Sequence, residues 1–487
     1  MRLIIRIFSY LILCLLISCR ISLPPQSQTR YLKMIPSMQR AVKASLQQKD
    51  LFEQSDWPDK NWWEAYGSPE LNALMREALC TNPSLQEVRS RIRVAKEKAI
   101  VVGSVLYPLI FFDARETRQY LSKNGLYRAF NQKLPLNANV IDLSLSFTYN
   151  FDFWGQNRNL LCAALGEEKA QEAEAADAAL IVTTSLTQAY FAYKTNLVRK
   201  QLFEELIRVR KNIVELQKLL LRKGLASDLQ VFLASENLLE AKNLNSNIDD
   251  ELDSNRHLIN ILAGRGPDSP LPITPTLPTL PKKLQIPKTL SIDLIARRPD
   301  LMAQIWRAKA LAYKTGAAMA EYYPDVNLIG FLGLESISWK KLFQIASGTA
   351  GLKPSIHLPI FTAGAIGANI NATKAEFDAA IFAYNNLLLQ STQEILDVLS
   401  FAKDIYRQKQ QQGQAVYYAE QRYSLTRLRQ EKGLDSDFDI YYLQEDVIQK
   451  KLINTALLYN QYLASIKLTK ALGGGYCQAT VPLVKRV

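Results

Sequence analysis

The chain has 487 residues, 48% of them hydrophobic and 22% charged, with a formal net charge of +13. This is long enough for two or three ordinary domains and apolar enough to pack, which excludes bulk disorder. Lysines and arginines are scattered among acids and no nucleic-acid motif accompanies them, so the charge reads as the solvated faces of long helices and nucleic acid is not an expected partner.

Residues 1–18 have the layout of a secretory signal: Arg2 and Arg6 precede a short apolar run that includes Ile12 to Ile17. The run ends in Leu16-Ile17-Ser18-Cys19, which resembles the bacterial lipoprotein box and makes Cys19 the expected acylated N-terminus. Arg20 and Ile21 follow; by the same resemblance, the lack of an Asp there favours the outer membrane. Residues 19–55 are then a lipid-anchored N-terminal segment. After Cys14 and Cys19 three cysteines remain, Cys80, Cys162 and Cys477, which show neither disulfide nor metal spacing and are expected to be buried or idle thiols.

From residue 56 onward the chain is written twice. GLASDLQVFLAS starts at Gly224 and GLDSDFDIYYLQ at Gly433, an offset of 433 − 224 = 209. The same offset relates Gly264 to Gly473. Asn82-Pro83-Ser84-Leu85 leads to Tyr107-Pro108, and Arg298-Pro299-Asp300-Leu301 to Tyr323-Pro324. Each half predicts a helix, two strands and two long helices, with repeats over 56–264 and 291–476, a linker over 265–290 and a tail over 477–487.

The first helix is expected from near Pro83 to Tyr107 and its copy from Pro299 to Tyr323, because Pro suits a helix start and stops one at its end. Ile141 to Phe153 alternates apolar and polar residues without a break, the mark of a two-faced strand. Leu109 to Tyr120 is its expected partner. Val326 to Leu334 and Ile356 to Ile360 alternate more loosely. Trp154, Tyr120 and Trp339 lie near strand ends, as an interfacial belt or as ordinary loop aromatics.

No Pro occurs between Gly155 and Gly224. A continuous helix there is about 100 Å long, too long for a compact globule of this size. Leu225, Leu229, Phe232 and Leu239, copied as Leu434, Phe438, Tyr441 and Ile448, predict a coiled-coil seam. Gly224 and Gly433 read as turns joining antiparallel long helices. Between the halves, SPLPITPTLPTLPKKLQIP is Pro-rich and extended. The only histidines are His257, expected in a helix, and His357, in a strand. No phosphate loop, nucleophile elbow or zinc spacing appears, so no catalytic residue, metal or cofactor is expected.

Four strands cannot close a transmembrane barrel, whereas three copies supply twelve. Asn61-Trp62-Trp63 to Pro69-Glu70-Leu71, Ala296-Arg297-Arg298-Pro299-Asp300-Leu301, Leu358-Pro359-Ile360-Phe361-Thr362-Ala363-Gly364 and Lys470-Ala471-Leu472-Gly473-Gly474-Gly475-Tyr476 together resemble the TolC-type outer-membrane factors of tripartite efflux systems, lipoprotein branch. The resemblance implies a mainly α chain with membrane β: a homotrimer with a 12-stranded β-barrel in the outer membrane and a periplasmic α-barrel of antiparallel coiled-coil helices. It implies a periplasmic adaptor and an inner-membrane transporter as partners, and a passive duct closed at its periplasmic tip. Asp439 matches the first gate acid of that family, and Tyr442 stands where a second acid is common. Asp228, Asp437, Gly224 and Gly433 fall at the tip and its adaptor contact. Two other readings stay open at this stage: a duct for protein secretion, and a lipid-anchored coiled-coil scaffold without a pore.

Overall fold

Pro83 and Pro299 each start a helix of 22 residues, α3 (Pro83–Ser104) and α7 (Pro299–Ala320). Both end three residues before the Tyr-Pro expected to stop them, because the last turn loosens ahead of the proline. The structure is a computed structural model and describes residues 38–477 apart from 126–128, 132, 134, 282 and 289, with the side chains of 291–293 also left aside. The signal segment, Cys19 and most of the C-terminal tail therefore lie outside the described residues.

After α3 come β2 (Leu109–Tyr120), β3 (Asn137–Phe151), α4 (Gln156–Arg222) and α5 (Asp228–Leu262). After α7 come β5 (Asp325–Ser336), the short α8 (Trp339–Leu342), β6 (Gly348–His357), α9 (Ala365–Gln430) and α10 (Asp437–Ala471). α4 and α9 have 67 and 66 residues, and α5 and α10 have 35 each. Preceding these are α1 (Gln39–Leu46), β1 (Phe52–Ser55), a 3-10 turn at Trp62–Tyr66 and α2 (Pro69–Thr81). β4 (Leu284–Pro287) and α6 (Leu290–Arg297) lie between the two series.

The chain divides into two units. One holds residues 93–170 and 304–383. Its centre is an antiparallel sheet in the order β2-β3-β5-β6. Register places Phe112, Leu145 and Leu332 side by side on one face, and likewise Ile110, Phe147, Gly330 and Leu352. Asp113, Ser144 and Gly333, and Arg115, Asp142 and Glu335, line the other face. The period-2 pattern of β3 thus extends across all four strands, an apolar face against a largely polar one. Among the described residues both edge strands, β2 and β6, are unpaired on their outer sides. β6 corrects an expectation: it spans Gly348–His357 rather than Ile356 to Ile360, pairing Thr349 with Gly333 and His357 with Asp325. Lys353 and Pro354 hid it, since Pro is tolerated on an edge strand, where no ladder partner needs its missing N–H. Where β3 turns into α4, Trp154 stacks on Tyr323 at 4.8 Å and donates from Nε1 to the Pro324 carbonyl at 2.8 Å.

The other unit holds the described residues of 38–92, 171–303 and 384–477. One core gathers Trp62, Trp63 and Tyr66 of the 3-10 turn, Leu71 and Met75 of α2, Leu186 and Phe191 of α4, and Tyr462 of α10. Phe191 stacks on Tyr462 with centroids 3.9 Å apart, and Tyr66 meets Phe191 edge-on at 4.9 Å; each such pair contributes about 1 kcal/mol beyond its buried area. The Pro-rich linker packs on this core through Leu271, Ile273 and Leu280. Its end forms β4, a parallel pair with β1 running from Phe52↔Leu284 to Ser55↔Pro287.

The coiled-coil seam differs from the expected one. Leu225, Leu229, Phe232 and Leu239 are 72%, 74%, 67% and 59% exposed. The buried apolar residues of α5 are Val231, Ala234, Ala241, Ile248, Leu252 and Ile259, at steps of 3, 7, 7, 4 and 7. Of these, Ala234, Ala241, Ile248 and Leu252 pack with Phe203, Leu206, Val209 and Ile213 of α4 and with Ile448 of α10, while Ile259 joins the aromatic core. Small alanines at this contact let the helices approach, and the larger leucines lie on another face. Of the second-half copies, Leu434 is exposed, Phe438 and Tyr441 pack partly against that core, and Ile448 is buried. Of the thiols, Cys80 and Cys477 are exposed and Cys162 is half-buried. Among the described residues no helix is long and apolar enough to cross a membrane.

Candidate functional site: the two hairpin turns

The α4–α5 and α9–α10 connections are built alike. Gly224 has φ +72° and Gly433 φ +77°, the left-handed conformation that glycine adopts without a Cβ penalty. In the first turn Gly224 N–H donates to Leu221 O at 2.9 Å and Leu225 N–H to Leu220 O at 2.8 Å. In the second, Gly433 N–H donates to Gln430 O at 2.8 Å and Leu434 N–H to Arg429 O at 3.0 Å. These paired bonds satisfy the last carbonyls of α4 and α9 in the Schellman pattern. The next helix then starts on a serine in each case, Ser227 and Ser436, each in a capping box with the residue three positions on.

The chemistry of the two turns differs. At the first, the capping partner is Gln230, whose Oε1 accepts from Ser227 N–H at 3.3 Å, and Asp228 is the one acid in the opening turn of α5. At the second the partner is Asp439. Its Oδ2 accepts from the Ser436 hydroxyl at 2.6 Å and from Ser436 N–H at 2.9 Å. The Ser436 hydroxyl, followed by its backbone N–H, holds the Asp439 carboxyl below the usual carboxylate range. Asp437 Oδ1 accepts from Gln430 at 2.8 Å. Asp435 takes a two-pronged bond from Arg429 at 2.7 and 3.0 Å. Three carboxylates therefore gather at the positive end of α10, where the helix dipole favours them. Tyr442 lies one turn on, half-exposed and stacked over Phe438 at 6.2 Å.

Below the turns, buried charges lock the helices together. Arg210 of α4 donates to Glu445 of α10 at 3.0 and 2.7 Å and to Glu240 of α5 at 3.1 Å. Arg298 clamps Asp300 at 3.1 and 2.7 Å, Glu394 of α9 at 2.8 Å and the Ala471 carbonyl ending α10 at 3.1 Å. Asp177 of α4 lies in the field of this cluster. Burial first, then the Asp300 charge, pushes its pKa up to about 6, against the opposing pull of Arg298 and Lys470. Lys194 pairs with Glu70 at 2.8 Å and donates to the linker carbonyl of Thr276 at 2.7 Å.

Sequence pattern marks Arg298 only as part of a motif and does not single out Arg210, Lys194 or Asp177. Charged residues inside long helices read as solvated by pattern; the available signal was a pair of acids placed by the fold rather than by spacing. The histidines fall in different units, His257 in α5 and His357 in β6. Among the described residues no cluster of His, Cys, Asp or Glu could hold a metal.

Comparison with known proteins places this geometry. Residues 74–264 and 290–474 match the family described as outer membrane efflux protein. The chain is 27% identical over 427 residues to the multidrug resistance outer membrane protein MdtQ of Escherichia coli, covering 86% of this chain and 89% of that protein. It superimposes on the crystal structure of the outer membrane protein VceC of Vibrio cholerae with a TM-score of 0.76 and 29% identity, covering 86% of this chain and all of that one. The CmeC outer membrane channel of Campylobacter jejuni shares the fold, with a TM-score of 0.80 and 22% identity, covering 88% of this chain and 91% of that one.

Proposed function

This chain belongs to the outer membrane efflux protein family, an outer-membrane channel family and not a family of enzymes, and we propose that three copies form a passive, gated duct for small molecules. The observation that carries this reading is the four-stranded sheet: one face apolar, two edges unpaired. In lipid each unpaired edge group costs several kcal/mol, so β2 must meet β6 of a neighbouring copy. Three copies give a closed 12-stranded barrel. The exposed leucines of α5, Leu225, Leu229 and Leu239 with Phe232, then find cover against a neighbouring copy in a periplasmic α-barrel. A pore-less scaffold leaves the apolar sheet face unexplained.

The hairpin turns form the periplasmic tip. Asp439 supplies one carboxylate per copy, held at a fixed place by the Ser436 cap, and three copies make a cation-attracting ring. Tyr442, stacked on Phe438, narrows the level one turn on. Asp228 and Asp437, with the turns at Gly224 and Gly433, offer the contact for a periplasmic adaptor, through which an inner-membrane transporter supplies cargo. Cys19 carries the lipid anchor. The likeness to a multidrug resistance protein favours small molecules as cargo. Trp154, Tyr120 and Trp339 sit at the two ends of the sheet, as a membrane-interface belt requires.

The test is conductance in planar bilayers with and without Asp439→Asn, which removes the charge and keeps an oxygen for the Ser436 cap. The expected result is small, cation-selective resting channels whose conductance rises and whose selectivity falls in the variant. Channels indifferent to Asp439 move the gate elsewhere. A folded protein that forms no channel removes the duct.

A further inference from the structure

Apart from Trp339, the connection between β5 and β6 has no part in the duct or its tip, yet it is built rather than loose. Ser338 N–H donates to the Ser336 hydroxyl at 3.2 Å, which donates on to the Ser338 carbonyl at 3.0 Å. The Ser347 hydroxyl donates to the Lys341 carbonyl at 2.7 Å. Leu342 of α8 is fully buried. Ser336, whose hydroxyl holds Ser338, is placed by the register beside Ile141 on the apolar side of the sheet, in the same row as Glu116. The knob therefore leans onto the apolar face, at the end of the sheet away from the helices.

From this ordered base large apolar side chains project. Ile345 is 100% exposed, Phe343 and Ile337 76% each, and Trp339 52%. Lys340 and Lys341, both exposed, stand among them. No acid occurs between Ile337 and Ser347. Neither lysine has an ion-pair partner among the described residues, and the nearby Glu116 is held by Arg118 at 2.9 Å. The β2–β3 connection at the same end adds Lys123 and Lys133, and residues 121–136 also contain no acid. Apolar side chains beside unpaired lysines match a molecule with acyl chains and a phosphate headgroup; the first seek hydrocarbon and the second an anion at the membrane surface.

We propose that the knob Ile337–Ser347 is a binding site for a phosphate-bearing lipid of the outer leaflet, with Lys340 and Lys341 on the phosphate and Trp339, Phe343 and Ile345 against the acyl chains. The assignment rests on the reading of the sheet as part of a barrel whose hairpin end faces outward. The continuity of the knob with the apolar face selects a lipid over a soluble acidic protein.

The test uses the full-length protein in detergent and native mass spectrometry with diphosphoryl lipid A, its phosphate-free form and phosphatidylglycerol. Wild type is expected to retain the diphosphoryl form on the order of tenfold more strongly than the phosphate-free form. Lys340→Gln with Lys341→Gln should abolish that preference, and Lys340→Arg with Lys341→Arg should restore it. The single Lys340→Gln change, with a partial loss, serves if the double variant does not fold. Equal retention of the phosphate-free lipid, an unaffected double Gln variant, or equal retention of phosphatidylglycerol each overturns the proposal. Bilayer recordings on the same preparations separate the two readings: channels without phosphate preference remove only the lipid site, whereas no channels from wild type remove the barrel on which it rests.

Discussion

The charges of the helical body and those of the hairpin turns do different work. In the body, Arg298 and Arg210 are buried and each joins three elements or more through acids and a carbonyl. At the α9–α10 turn, Asp435, Asp437 and Asp439 are paired within the turn itself, with Arg429, Gln430 and Ser436. Burial makes the first set costly to break singly, because each lost partner strands another charge. Exposure leaves the second set nearly free to vary without unfolding the chain. Charge at the proposed gate can thus vary apart from the charges that hold the helices.

Substitutions should separate the two regions in a graded way. The largest effect is expected at Gly473, where φ is +89° and a Cβ would lie 1.9 Å from the Arg297 carbonyl oxygen. Gly473→Ala should destabilise by upwards of about 4 kcal/mol, read as loss of folded protein in a detergent melt. Arg298→Ala should follow, at roughly 3 kcal/mol, with Arg298→Lys only partly restoring the midpoint because a lysine cannot form the two-pronged bond to Asp300.

Asp177 tests the same region in the opposite direction. Its folded pKa is raised to about 6 from 3.8. An acid whose folded pKa is raised keeps its full contribution to stability below the unfolded value, and that contribution is lost as pH rises through the folded one. Between about pH 4 and 6 the wild type should therefore lose on the order of 2–3 kcal/mol from this site. Asp177→Asn should unfold at a higher temperature than wild type above pH 6, and the gap should close toward pH 4. A gap that widens on acidification would show that Asp177 is stabilised by Arg298 rather than penalised by burial. The smallest of the four effects belongs to the turns. At Gly433 the space around a Cβ is open, so Gly433→Ala should cost only the left-handed backbone term, about 1 kcal/mol, and unfolding curves of the two glycine variants would expose the contrast directly. A Gly433→Ala loss as large as that of Gly473→Ala would mean that the turn is as enclosed as the body.

Much of this arrangement was legible in the sequence because it is local. Pro83 and Pro299 mark helix starts, Gly224 and Gly433 mark turns, and the alternation in Ile141 to Phe153 gives a strand. The seam departs from the expected one for a physical reason: periodicity finds apolar stripes, and α5 has two. Leu225, Leu229 and Phe232 form the more hydrophobic one, but the protomer buries the one containing Ala234 and Ala241. Which stripe faces inward depends on the shape of α4, which no local pattern encodes. The capping role of Asp439 could have been seen, since Ser436 stands three residues before it. Arg298 and Arg210 could not, as their partners Glu394 and Glu445 are distant in the chain.

The short parallel pair of β1 with β4 bears on how the protein comes to be made. Phe52 meets Leu284, so 284 − 52 = 232 residues separate the partners. Such a contact closes late, after most of the intervening chain has found its place. During synthesis the N-terminal segment waits without its strand partner until the linker emerges, and the first half released alone would keep an unmatched backbone edge beside Phe52. Fusions, truncations or split versions that cut between Gly264 and Leu284 should accordingly misassemble at the N-terminus first, even though the cut lies in the linker.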